Sequence, residues 1–304
     1  MKKFLYKAAL FLILLVIMDF CYGKVMTYMI THAKGGTTKA IYDVVKKDRY
    51  DILIMGSSRA KHHYIPSIIS DSLNMSCYNL GQDGNGIILM DGLYKVLSQR
   101  YHPKIIIYDV EQAFDIHKYK NDNNCTRYLS ALRPYFFEKG IDSIFKSVSL
   151  KEYIKQYSAL MRYNSTLFYN IKNCFLSGLD RNNGYSGLIG KYDEGQNSNK
   201  QPSPNPEIDS LKISYLHDFI KTCTRDGIQL FVVASPKYGA TSTRDFDIVK
   251  KYGELYGAIF ADDFYADSAY MNSPELFKEP SHLNTTGAKL FSEQLAHTLK
   301  TYIK

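Results

Sequence analysis

A serine hydroxyl becomes a nucleophile when a base takes its proton and a third group holds that base in place. Two distant stretches of this chain supply those residue types. Ile52-Leu53-Ile54-Met55 runs into Gly56-Ser57-Ser58-Arg59, so two serines follow the end of an apolar run. Far along the chain, Glu279-Pro280-Ser281-His282-Leu283-Asn284 places a carboxylate three residues before an imidazole. An apolar run that stops at a glycine reads as a buried parallel strand entering a tight turn. Residues just past the C-terminal end of such a strand sit where open α/β sheets bind ligands. Ser57 and Ser58 compete as the nucleophile, and each also suits a plain turn or helix cap. His282 is the expected base and Glu279 the group that orients it. Asp262 and Asp263, at the end of the last expected strand, are alternative orienters. His62 and His63 compete as bases, but a helical position is expected to point them away from Ser58.

The chemistry of such a set is acyl transfer, which needs N–H donors where the carbonyl oxygen becomes an anion. The backbone N–H of Ser58, at the start of its turn, is a natural donor. The segment Asn79-Leu80-Gly81-Gln82-Asp83-Gly84-Asn85-Gly86 ends a second apolar run, and three glycines there require unusual φ angles whatever its function. After the most apolar run, Lys104 to Val110, come Glu111 and Gln112, and the Gln112 amide is a further donor. Arg59 either pairs with Asp109 or Glu111 or lies in solvent.

The pairing of Gly-Ser-Ser near the start with Glu-x-x-His-Leu-Asn near the end resembles the SGNH (GDSL-like) hydrolase superfamily. The resemblance spans roughly residues 51–110 and 228–303. It implies that the nucleophile is Ser58, the third residue of a Gly-x-Ser turn, and that the Gly84 N–H joins Ser58 in the oxyanion site. The superfamily carries Asp where this chain has Glu279, and a Gly-x-Asn-Asp motif where this chain reads Asp109-Val110-Glu111-Gln112. Gln112 either offers its amide in place of the missing asparagine donor or is a loop residue in solvent. Loss of one such donor typically costs about 10²–10³ in turnover. The resemblance also implies a serine esterase or O-acyltransferase acting on acyl groups of a cell-envelope or secreted glycan. It implies no cofactor and no metal, and for a transferase a membrane-bound acyl-transfer partner. The alternatives are a catalytically inactive SGNH-like glycan-binding or scaffold protein of the envelope, and a flavodoxin-like binding module.

Composition narrows the setting. The chain has 304 residues, 45% of them hydrophobic, enough for a packed core, and a formal net charge of +8 with pI near 9.0. No long basic run and no nucleic-acid motif accompany that charge, so no nucleic-acid partner is expected. The five cysteines, Cys21, Cys77, Cys125, Cys174 and Cys223, are widely spaced and form no CxxC pair. That argues against a disulfide framework and a structural zinc site.

The N-terminal 23 residues carry Lys2, Lys3 and Lys7 and then the apolar run Ala8 to Met18. Positive charge before an apolar segment keeps the N-terminus in the cytoplasm. Residues 4–22 can just cross a bilayer as a cleaved signal peptide or an uncleaved anchor. Cys21-Tyr22-Gly23 matches a cleavage site poorly, so the anchor is preferred. Either way the main domain is expected on the extracytoplasmic side.

Residues 24–48 read as a helical stalk broken at Gly35-Gly36-Thr37-Thr38. From residue 49 to 304, strand and helix patterns alternate, which predicts a three-layer α/β/α domain around a mainly parallel five-stranded sheet. The strands are expected at 51–55, 77–80, 104–110, 228–234 and 258–261. A helical insertion is expected at about 111–206, ending in a polar loop or flap from Asn182 to Pro206. The closing helix runs from Thr285 to Tyr302 with Asn284 as its cap.

Overall fold

The computed structural model describes residues 1–118, 129–175, 178, 182–193 and 207–303. The chain forms two compact units: Met1–Lys47 with Cys125–Asp180, and Asp48–Asn124 with Arg181–Lys304.

The second unit is built on five parallel strands, β1 Ile52–Gly56, β2 Cys77–Asn79, β3 Ile105–Asp109, β4 Gln229–Val233 and β5 Ile259–Ala261. Their order is β2-β1-β3-β4-β5. The register is unbroken, with Ile52 beside both Cys77 and Ile105, Ile106 beside Leu230, and Val233 beside Ala261. The central strands are apolar throughout because both faces are covered. Ile52, Ile54, Ile105, Ile107, Phe231 and Val233 face one side, and pack with Phe291, Leu295 and Leu299 of the closing helix. On the other side Tyr108 meets Phe219, which also packs on Tyr94.

The helices of this unit are α3 Ser58–His63, α4 Pro66–Leu73, α5 Ile87–Ser98, α10 Ser210–Arg225, α11 Asp247–Tyr256, α12 Ser268–Met271 and α13 Thr285–Tyr302. A short hairpin, β6 Phe277–Glu279 and β7 His282–Leu283, precedes α13. With this strand order the chain leaves β1 toward one edge and returns at β3 toward the other. The crevice at that reversal, beyond the C-terminal ends of β1 and β3, is where doubly wound sheets bind ligands.

The first unit contains α1 Lys2–His32, α2 Thr37–Lys46, and four short helices, α6 Ile141–Val148, α7 Leu150–Lys155, α8 Ala159–Tyr163 and α9 Leu167–Phe175. α1 is long and apolar enough to cross a membrane, and no residue of its most apolar 18-residue window is buried. The helix does not stop at Gly23 but continues for nine further residues, and the break falls at Gly36, with φ +91°. Its second half is packed: Met26 and Ile30 form a buried cluster with Ala159 and Tyr163.

Candidate active site

β1 ends at Gly56, whose φ is +143° and whose Cβ, if present, would lie 2.7 Å from the Asp109 carbonyl oxygen of the neighbouring strand. Only glycine permits that approach and that turn. The chain then enters α3 with Ser57 as N-cap, its Oγ accepting from the Arg59 N–H at 3.3 Å. The Ser57 hydroxyl in turn donates to the Glu111 carboxylate. Ser58, the first helical residue, is 9% exposed, and its hydroxyl donates to His282 Nε2 at 2.7 Å. The two serines therefore differ in role. Ser57 is spent on capping and on Glu111, whereas Ser58 faces an imidazole.

His282 and Glu279 are opposite partners in the β6–β7 hairpin, joined by Pro280 and Ser281. Glu279 Oε1 lies 2.5 Å from His282 Nδ1. A carboxylate accepts, so Nδ1 carries the proton and Nε2 is left as the acceptor for Ser58. The hairpin is held by its apolar pair, Phe277 and Leu283, both fully buried. Asn284 then caps α13, accepting from the N–H groups of Thr286 and Gly287 at 3.0 Å. Its side-chain amide donates to the Glu275 carbonyl at 2.7 Å and the Gly190 carbonyl at 2.9 Å.

His63 pins the residue between them. Its Nε2 accepts the Leu283 N–H at 3.0 Å, so its Nδ1 carries the proton and donates to Ser235 Oγ at 2.9 Å. His62 and His63 do not point away: their ring centres lie 5.5 Å and 6.2 Å from that of His282. They are excluded as the base because their nitrogens are occupied. His62 Nδ1 faces the Ser186 carbonyl at 2.5 Å and its Nε2 faces Asp83 at 3.0 Å. His62, and then Lys61, hold the Asp83 carboxyl below its ordinary range, against the opposing effect of burial.

Below the serines lies a buried polar group, in which Arg59 takes the paired rather than the solvent-facing of its two expected places. Arg59, 2% exposed, donates to the Ser235 carbonyl and to Ser235 Oγ, and its Nε lies 3.9 Å from Asp109. Its guanidinium stacks 5.4 Å from the Tyr265 ring centre. Asp109 accepts from the Tyr64 hydroxyl at 2.6 Å and the Ser235 N–H at 3.1 Å. Burial pushes the Asp109 and Glu111 carboxyls up, and the Arg59 charge beside them acts against it. This arrangement fixes the C-terminal ends of β1, β3 and β4 to one another around Ser57.

Burial, and then the Arg59 charge, push the His63 imidazole well below its ordinary range. The folded protein thus holds His63 neutral while the unfolded chain protonates it below about pH 6.5. Stability from this group is full above that pH and falls as pH drops, by about 1 kcal/mol per unit. Urea unfolding at successive pH values from 7 to 5 should show that slope, and His63→Gln should flatten it.

The remaining expected residues are placed as follows. Gly84 is buried in the turn after β2 with φ +65°, and neither its N–H nor that of Ser58 donates to another group among the described residues. The Gln112 amide donates to Asp245 at 2.9 Å and its oxygen accepts from Tyr265 at 3.2 Å, so no hydrogen bond links it to Ser58. Asp262 and Asp263 follow β5, and neither bonds to His282, whose Nδ1 is taken by Glu279. Of the expected loop from Asn182 to Pro206, residues 194–206 lie outside the described residues. The described part runs past the site, with the Ser186 N–H donating to the Lys61 carbonyl and the Leu188 carbonyl accepting from Thr285.

The fold and this side-chain set define a parallel α/β protein with a Ser-His-Glu relay at the switch point of its sheet. The chain matches no family model, and no curated protein is similar to it in sequence.

Proposed function

We propose that the protein is a serine esterase or O-acyltransferase of SGNH type that acts on acyl groups of a cell-envelope or secreted glycan. The observation that carries this reading is the unbroken relay from Ser58 Oγ through His282 to Glu279, with spacings of 2.7 and 2.5 Å. In the proposed reaction Ser58 Oγ attacks the ester carbonyl while its proton passes to His282 Nε2. The tetrahedral oxyanion is held by the backbone N–H groups of Ser58 and Gly84. His282 then returns the proton to the departing sugar oxygen, leaving an acyl-Ser58. Water, or a second hydroxyl in a transfer reaction, attacks that ester by the same route in reverse. The glycan setting rests on the resemblance and on the apolar helix near the N-terminus. In this reading the main domain lies on the extracytoplasmic side, and a transferase would take its acyl group from a membrane-bound partner.

Hydrolysis of an activated acyl ester tests the reading. Glu279 is 51% exposed, so water shares its task and screens its charge. Glu279→Gln should lower kcat by about 10- to 100-fold, well short of the ~10⁴ lost when a buried orienting carboxylate is changed. The second reading, a non-catalytic glycan-binding or scaffold protein, is favoured by the Gln112 amide being committed to Asp245, which takes the expected side-chain donor away from the oxyanion site. It predicts no turnover and undiminished glycan binding in the same variant.

A further inference from the structure

One short helix of the first unit, α7, is built inside out. In α7 and the turn after it, Glu152 and Gln156 are 2% and 1% exposed, while Leu150, Ile154 and Tyr157 are each 60% exposed. Inside, Glu152 Oε1 accepts from Lys155 at 2.6 Å, the Arg133 guanidinium lies 3.7 Å from its other oxygen, and its carbonyl accepts from the Gln156 amide. Leu150 and Ile154 stand one turn apart on α7, and the turn and α8 that follow expose Tyr157, Leu160 and Met161, at 60%, 46% and 58%. A water-facing helix has the opposite pattern, with apolar groups inside and polar groups out. Exposed apolar surface of this kind marks an interaction site.

The position of this surface names its occupant. Asp19, near the end of the apolar segment of α1, accepts from Ser158 Oγ at 2.7 Å and from the N–H groups of Ala159 and Leu160 at 2.8 and 2.9 Å. It therefore caps α8 directly, and Leu160 and Met161 stand beside the end of the span. One turn later, a Cβ on Gly23 would lie 3.0 Å from Ala159 Cβ, so the absence of a side chain lets the two helices touch. The bare part of α1, from Phe4 to Phe20, rises about 24 Å, short of the ~30 Å of a hydrocarbon core. A span that short places Asp19 and its α8 partners at the membrane boundary. A carboxylate there is tolerated because its partners are supplied. Residues 129–175 also carry seven Lys and Arg against three Asp and Glu, a balance suited to anionic headgroups.

We infer that α7 and α8 lie on the lipid surface, with Leu150, Ile154, Tyr157, Leu160 and Met161 sunk into the interface beside α1. This rests on α1 crossing the membrane. The full chain, reconstituted in vesicles of phosphatidylcholine and phosphatidylglycerol, tests it with a diazirine carried in the lipid acyl chains and peptides read by mass spectrometry. Label is expected in residues 4–20 and in 150–161, and not in α11, although Leu255 there is 64% exposed. Ile154→Glu with Met161→Glu should abolish label in 150–161 and leave that in 4–20. Label in 4–20 with 150–161 no higher than α11 would overturn the inference alone, as would capture of 150–161 by a second copy of the chain. Absence of label from 4–20 as well would overturn the membrane span and the inference together.

Discussion

Ser58→Ala and His282→Ala are each expected to lower kcat for an activated acyl ester by about 10⁴–10⁶-fold, and the double variant to lose little more. The two groups act as one unit. Without His282 the Ser58 hydroxyl has no acceptor for its proton, and without Ser58 the imidazole has nothing to activate. The fold should survive both changes. Ser58 lies in a turn whose capping is done by Ser57, and His282 sits in a hairpin held by Phe277, Leu283 and Asn284. Unfolding midpoints near that of the parent chain, with activity lost, are the expected pair of measurements. His62→Ala supplies the contrast, because its ring lies beside His282 yet its nitrogens are bound to Ser186 and Asp83. Its effect on kcat should be small.

Arg59→Ala is expected to cost about 3–5 kcal/mol of stability, the usual consequence of removing one member of a buried ion pair. Asp109 and Glu111 would be left near one another in the interior with no cation between them, and two acceptors on Ser235 would lose their donor. Urea unfolding at neutral pH measures this directly. Adding Asp109→Asn to Arg59→Ala should recover part of the loss, since one uncompensated charge is then removed. Catalysis should suffer in the surviving folded fraction too, because the same group holds the ends of β1, β3 and β4 in register around the serines.

Much of this arrangement was legible from local pattern. The five strands fall where apolar runs end in Gly, Ser or Asp, and Asn284 followed by a polar turn marks the start of α13 as directly as a cap can. Ser58 could be paired with His282 and Glu279 because the first follows a clear strand and the other two precede a clearly capped helix. The rest depends on partners that no local pattern carries. His63 reads as a competing base until Ser235 and Leu283, 172 and 220 residues away, reach its two nitrogens. Its neighbour His62 was expected to face away, but α3 has only six residues and turns both rings toward the hairpin. Gln112 reads as either an oxyanion donor or a solvent-facing loop residue, and only the fold shows Asp245 and Tyr265 claiming its amide. The turn that carries it is wound around Asp115, which accepts from the Ile87 and Glu111 N–H groups and the Tyr108 hydroxyl. In the insertion, the stretch 150–161 is not one continuous helix. The structure breaks it at Gln156 to Ser158, where the Ser158 hydroxyl and the new helix start both meet Asp19.

The central claim is that Ser58 is a nucleophile activated by His282. A fluorophosphonate probe reads this most directly, because it bonds covalently only to a serine whose proton has somewhere to go. The purified full chain should be labelled with one probe per chain, on the peptide that contains Ser57 and Ser58, and fragmentation should place the adduct on Ser58. Labelling should disappear in Ser58→Ala and in His282→Ala and persist in Ser57→Ala. A folded parent chain that takes up no probe, or an adduct that remains in Ser58→Ala, would contradict it.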